Sequence, residues 1–323
     1  MSDVQLFHID ALGQAAEIAG TAARLEKPLQ QLMEVNLEAL LGIRFLASEL
    51  STGKVHGGRI DTLGLDENHC PVIIEYKRSV GENVINQGLF YLDWLMDHQA
   101  DFKWLVMDKL GAAVAASIDW SAPRLLCVAA DFTKYDRHAV QQIQRNIELL
   151  RYRHFGSDLL LLELAYANNG LLEKRTSKSQ ECASVPEAGM PRLADATMKK
   201  QPGPDKSYAD VKATLPAPLL LILKALEDFV QSLGDDVQCK ELRLYTAFKT
   251  LRNFASVVLQ KSRLLVYLHL DPAVVLAQLQ ITHPSARDVS DIGHWGTGSI
   301  EVPVSTLTEL TALEPYLRMA YEC

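Results

Sequence analysis

The chain has 323 residues, with 48% hydrophobic and 22% charged side chains and a net charge of −8. That length allows two ordinary domains, and the composition is that of a folded globular protein. It excludes a membrane-spanning chain, since no apolar run reaches the roughly 18 residues a span requires, and a protein that attracts nucleic acid through a global basic field. The start, MSDVQLFHIDALG, has neither the basic nor the apolar region of a signal peptide. The cysteines Cys70, Cys127, Cys182, Cys239 and Cys323 are scattered, odd in number and without a CxxC. Both features suit a reducing compartment, and a cytoplasmic protein is the expectation.

In chain order, residues 4–9 predict a short strand. Residues 25–42 space Leu25, Leu29, Leu32, Met33, Leu37, Leu40 and Leu41 as a helix does, with Gly42 as its stop. Residues 43–50 suit a strand, and 58–66 with 70–77 a hairpin. Residues 83–102 predict one long amphipathic helix, 124–132 a buried strand, 136–154 a helix capped by Asp136, and 158–166 another buried strand. The alternation of strand and helix favours an α/β layered domain over 1–166. Residues 167–210 are rich in Pro, Gly and Ser and lack periodicity, which predicts a flexible linker. A smaller α+β domain is expected over 211–323, with a helix at 217–233, strands at 241–249, 254–260 and 263–270, and a final helix at 306–322.

The hairpin carries the chemistry. Asp61 interrupts a strand, although Asp is depleted from strands and an unpaired buried charge is costly. Alternation puts Ile73, Glu75 and Lys77 on one face and Val72, Ile74 and Tyr76 on the other. An antiparallel partner brings Asp61 within a few ångströms of Glu75. Two close carboxylates repel, and a divalent cation removes the conflict. Oxygen ligands suit Mg²⁺ or Mn²⁺, and a lysine beside them can position water or stabilise a charged transition state. This arrangement suits metal-assisted phosphodiester hydrolysis.

Asp61 followed by Glu75-Tyr76-Lys77 resembles the core motif of the PD-(D/E)xK nuclease superfamily. The similarity is greatest to the nuclease domain of NucS-type endonucleases, here GRIDTL…VIIEYKR. The resemblance spans roughly 22–166 and implies a restriction-endonuclease-like mixed sheet flanked by helices. It implies Asp61 and Glu75 as metal ligands with the Tyr76 carbonyl, Lys77 as assistant to the nucleophile, and Gln87 as an orienting group. It also implies a glutamate on the first helix, Glu26 or alternatively Glu34. Gln87 and Tyr91 resemble a QxxxY element, and Arg59, Arg78 and Tyr91 are the expected nucleic-acid contacts. The implied cofactor is Mg²⁺ (or Mn²⁺), the implied partner is nucleic acid, DNA first, and a homodimer is a family-level expectation. The chain departs from the NucS type in carrying its accessory domain at the C-terminal side, so mismatch or branch specificity is not carried over. Residues 286–302 resemble a domain of unknown function found beside such nuclease modules, which leaves a protein or small ligand as that domain's partner.

Plainer readings stand beside these. Asp61, Glu75 and Lys77 also fit a surface ion-pair cluster, and a chain keeping the fold without cutting would be a nucleic-acid-binding or protein-interaction scaffold. Glu26 and Glu34 singly read as solvated. GHWGTG (293–298) reads as a tight turn anchored by Trp295 more readily than as a binding loop. Arg145, Arg151, Arg153 and His154 read as cations at a helix C-terminus, with a phosphate patch as the alternative.

Overall fold

The structure is a computed structural model and describes residues 4–22, 26–77, 83–169, 207–292 and 297–323. Strands β1 (Leu6–Ile9) and β2 (Ala15–Ile18) form a separate hairpin, followed by β3 (Gly20–Thr21). Then come α1 (Glu26–Val35), α2 (Leu37–Leu41), β4 (Ile43–Ser51), the short α3 (Gly53–His56), β5 (Arg59–Asp66) and β6 (Pro71–Lys77). Gly42, at φ 64°, ends α2 as expected of a glycine stop. Helices α4 (Val84–Asp97), α5 (Gln99–Leu110) and α6 (Ala112–Ala116) precede β7 (Arg124–Ala129), α7 (Lys134–Gln142), β8 (Asn146–Phe155) and β9 (Leu159–Asn169).

Strands β3 to β9 make a seven-stranded mixed sheet. β4, β5 and β6 are antiparallel, β6, β7 and β8 run parallel, and β9 returns antiparallel on β8. One face carries Val72, Ile74, Tyr76, Leu126 and Val128 and packs under α1 and α2 through Leu29, Met33, Leu37 and Leu41. The other carries Ile73, Leu125 and Cys127 and packs under α4 and α5 through Leu92, Leu95, Phe102 and Val106. Helices thus cover both faces, and alternation along β6 falls as the sequence predicts.

Three helix expectations need correction. The predicted helix at 25–42 is two, α1 and α2, parted at Asn36. The predicted helix at 83–102 breaks at His98, where the backbone N–H and ring Nδ1 both engage the Trp94 carbonyl (3.0 and 2.8 Å) and the ring stacks on Trp94. The predicted helix at 136–154 is α7 followed by strand β8. Its cap is Thr133, with Asp136 as the reciprocal third residue of a capping box. β8 is buried on both faces, Ile147 and Leu149 in one core and Leu150 and Tyr152 in the other. Such a strand reads as a continuous apolar run that periodicity does not separate from a helix. Arg145, Arg151, Arg153 and His154 therefore do not form a helix-end patch; Arg151 is buried, paired with Asp131 (2.9 Å) and Glu163 (3.0 Å).

The C-terminal unit is α8 (Tyr208–Ala213), α9 (Ala217–Gln231), β10 (Gln238–Glu241), β11 (Thr246–Lys249), β12 (Asn253–Leu259), β13 (Leu264–Leu268), α10 (Pro272–Thr282), β14 (Arg287–Asp288), β15 (Ile300–Val304) and α11 (Leu307–Glu322). Its six strands form an antiparallel sheet with its own core. The predicted strand 241–249 is instead the β10–β11 hairpin. β9 runs past residue 166, and Ser207 caps α8 within the predicted linker. The GHWG residues 293–296 and Arg78 lie outside the described residues.

The two units meet at the end of the seven-stranded sheet where β7 and β8 begin. Cys70 and Ala122 share a core with Leu242, Tyr245, Val258 and Leu265. Arg124 donates twice to Glu148 (2.8 Å each) and once to Asp66 (2.9 Å). Lys240 and Lys249, from the C-terminal unit, reach the same Glu148 at 3.4 Å. Burial pushes the Glu148 carboxyl up, but Arg124 first and then Lys249 and Lys240 together hold it well below the usual range. Among the described residues no helix is long and apolar enough to cross a membrane.

Candidate active site

The site forms where the β5–β6 ladder opens. Backbone pairing is continuous from Leu65↔Pro71 to Thr62↔Ile74 and then stops, while β6 continues alongside β7 to Lys77. Side chains bridge the gap. The Asp61 N–H donates to Glu75 Oε1 (3.2 Å), and the Tyr76 N–H donates to Asp61 Oδ2 (3.1 Å). The two carboxylates predicted to converge are thus locked to each other's strands.

Glu75 is fully buried and its Oε2 has no hydrogen-bond partner among the described residues. Burial, and then the adjacent Asp61, push its pKa up to about 9. Burial also raises Asp61, opposed by the Tyr76 N–H and by Lys77. Orphaned polar atoms in a protein interior are rare, so this oxygen points to a missing partner. Lys77 has its Nζ 3.8 Å from Glu26 Oε2, with side-chain exposures of 15% and 37%.

Helices from both layers close on the strand ends. α1 brings Glu26, and α4 brings Gln87, which reaches the Tyr91 hydroxyl at 3.4 Å. The same hydroxyl accepts from the Arg59 N–H at 3.1 Å. The glycine at 58 is required here, because a Cβ would lie 2.4 Å from the Tyr91 ring. Glu26, Arg59, Asp61, Tyr76, Gln87 and Tyr91 line one open cleft of about 1050 Å³. Of the alternatives on the first helix, Glu26 is in the cleft, while Glu34 is held by Gln30 (2.9 Å) and Thr62 (2.6 Å). Among the described residues no three His, Cys, Asp or Glu side chains form a ready cation cage. Asp61 and Glu75 supply two carboxylates, a number at which Mg²⁺ keeps several waters.

Three lining residues escape the sequence reading. Gln30, 3% exposed, donates to the Asp61 carbonyl at 2.7 Å. Its position one helical turn from Glu26 was a usable signal. Glu49 lies between the pairs Ser48↔Thr62 and Leu50↔Ile60, facing Asp61. A bulge between Phe45 and Ala47 shifts the register by one; without it Ser48 would face Asp61. Lys27 binds Glu49 at 2.8 Å.

Three comparisons set the chain beside known proteins. Residues 208–323 match a sequence family described as a domain of unknown function, DUF5655. That agrees with the resemblance drawn from residues 286–302. An uncharacterized protein of Haemophilus influenzae is 28% identical over 313 residues, spanning 95% of this chain and 96% of the relative. A solved EndoMS-dsDNA2 complex aligns with 41% of this chain and 47% of its own, at 18% identity and a TM-score of 0.24. A likeness of that extent leaves the functional reading to the geometry of the cleft.

Proposed function

We propose that this chain is a divalent-metal-dependent nuclease of the PD-(D/E)xK kind, hydrolysing phosphodiester bonds of nucleic acid, DNA in the first instance, in repair or in defence against foreign DNA. The observation that carries the reading is the buried, unpartnered Glu75 oxygen beside Asp61, which itself lines a cleft together with Lys77's partner Glu26. Asp61, Glu75 and the Tyr76 carbonyl would hold Mg²⁺ or Mn²⁺; Tyr76 turns its ring into the opposite core. The metal, when bound, supplies a more acidic water and neutralises charge at the phosphate.

The chain's own groups do the remaining work. Glu75, whose pKa burial pushes up to about 9, would give up its proton to hold a cation, since only the ionised carboxylate is a ligand. Lys77, restrained near Glu26, orients the attacking water and faces the charge that develops on phosphorus-bound oxygen. Gln87 and Tyr91, joined to Arg59 through the tyrosine hydroxyl, fix the position of the scissile phosphate. Cutting both strands of a duplex would use a homodimer.

The test is a nuclease assay on single-stranded, duplex and branched DNA and on RNA, with Mg²⁺ or Mn²⁺. Metal-dependent cleavage, abolished by EDTA and in both Asp61→Ala and Lys77→Ala, is the expected result. No cleavage on any substrate, or cleavage that survives Asp61→Ala, transfers the chain to the class of non-catalytic scaffolds.

A further inference from the structure

Glu49 has an uncommon backbone. Its φ is 55°, in the left-handed region, and it sits inside strand β4. For a side-chain-bearing residue that conformation costs about 1–2 kcal/mol and persists where the surroundings dictate it. The carboxylate so placed bridges two cations from different elements, Lys27 Nζ of α1 at 2.8 Å and Arg59 Nε of β5 at 2.7 Å. All three side chains line the cleft that holds Asp61. The arrangement adds a like charge facing Asp61 across the strand pair, which is unfavourable.

Packing does not account for it. Lys27 is 49% exposed, Arg59 67% and Glu49 31%. Ion pairs this exposed are screened and weak, so their partners exchange readily. Arg and Lys converging on one oxyanion is also the arrangement that grips a phosphate. Neither cation is needed for the cleavage chemistry itself.

We propose that Lys27 and Arg59 form a subsite for a backbone phosphate of the nucleic acid, and that Glu49 occupies this subsite in the free protein as a stand-in for that phosphate. The inference rests on the nuclease reading for its ligand class. It gives an acidic protein a local, exchangeable grip on a polyanion. The incoming phosphate displaces the Glu49 carboxylate, and both cations change partner without moving elements.

The experiment measures binding without cleavage. Fluorescein-labelled single-stranded DNA, duplex DNA and single-stranded RNA of equal length are titrated with the full chain in EDTA, by anisotropy, at several salt concentrations. Lys27→Ala and Arg59→Ala are each expected to weaken binding about three- to tenfold and to reduce the salt slope by about one. Glu49→Gln is expected to tighten binding about three- to tenfold, the equivalent of the weak ion pairs it releases. Glu49→Gly, which suits the left-handed backbone, should do the same. In the double variants Glu49→Gln/Lys27→Ala and Glu49→Gln/Arg59→Ala the gain should largely vanish, because the residues act as one unit. Equal effects on DNA and RNA fit a phosphate grip. The inference is overturned if Glu49→Gln leaves binding unchanged or weaker, if its gain persists in full in both double variants, or if neither wild type nor Glu49→Gln binds any probe. Cleavage in Mn²⁺ is scored separately. Binding that follows the expected pattern without cleavage removes the nuclease reading alone, and cleavage without the pattern removes this inference alone.

Discussion

Glu75 ties stability to pH and, on the proposed function, to metal. Burial, and then Asp61, push its carboxyl from the ordinary 4.5 up to about 9. The folded state holds this proton more tightly than the unfolded state, so the group's contribution is fully present below about pH 4.5 and is lost as pH rises toward 9. Glu75→Gln, which mimics the neutral acid, is therefore expected to leave the melting temperature at pH 7 unchanged or higher and to flatten its decline toward pH 9. The same variant, and Asp61→Ala, should lose Mn²⁺ binding by calorimetry. In wild type, Mn²⁺ affinity should climb between pH 7 and 9 with proton release. A Glu75→Gln protein that binds Mn²⁺ as wild type does would remove Glu75 from the ligand set.

At the scale of elements, the site depends on where α4 lies. Gly88 faces β7 so closely that a Cβ would stand 2.4 Å from Leu125 Cδ1. That contact draws α4 onto the sheet and sets Gln87 and Tyr91 at the cleft. Gly88→Ala should overpack this interface and destabilise the fold by about 1–3 kcal/mol, with the proposed nuclease activity reduced as Gln87 and Tyr91 shift outward. Denaturant unfolding and single-turnover cleavage measure the two effects. The predicted single helix 83–102 contained the right α4 face but not the break at His98, which follows from a side chain's choice of hydrogen-bond partner.

At the scale of the whole molecule, the two units are fastened by buried charge. Asp66 and Glu148 face Arg124, Lys240 and Lys249, one positive charge in excess if all are ionised. Burial, followed by Arg124, lowers Lys249 to about 7, so loss of its proton brings the cluster to neutrality. A lowered lysine makes stability rise with pH, from about 7 up to the ordinary value of 10.5, because the unfolded chain then holds more protons. Lys249→Met should keep or raise stability and flatten that rise, as replacement of buried ions by apolar groups often does. Glu148→Gln leaves Arg124 its pair with Asp66 but strands Lys240 and Lys249, and should cost about 3–5 kcal/mol. Thermal unfolding of both variants at pH 6, 7.5 and 9 checks the pair. The junction lies at the start of β7 and β8, while the cleft lies at the far end of β6, so the C-terminal unit is placed away from Lys77 and Asp61.

The sequence by itself determined the strand pair, the sides of β6, the convergence of Asp61 with Glu75 and the Gln87–Tyr91 face. Each follows from neighbour relations a few residues long: alternation in a strand, the short reach of a hairpin, one turn of a helix. The tertiary structure alone decided the rest. β8 is a strand because sheets and helices bury it on both sides. Glu49 faces Asp61 because of a bulge near Leu46. Glu148 is held at a unit boundary by lysines about a hundred residues away. These depend on which distant segments share a core and on the register they adopt, and local periodicity contains neither.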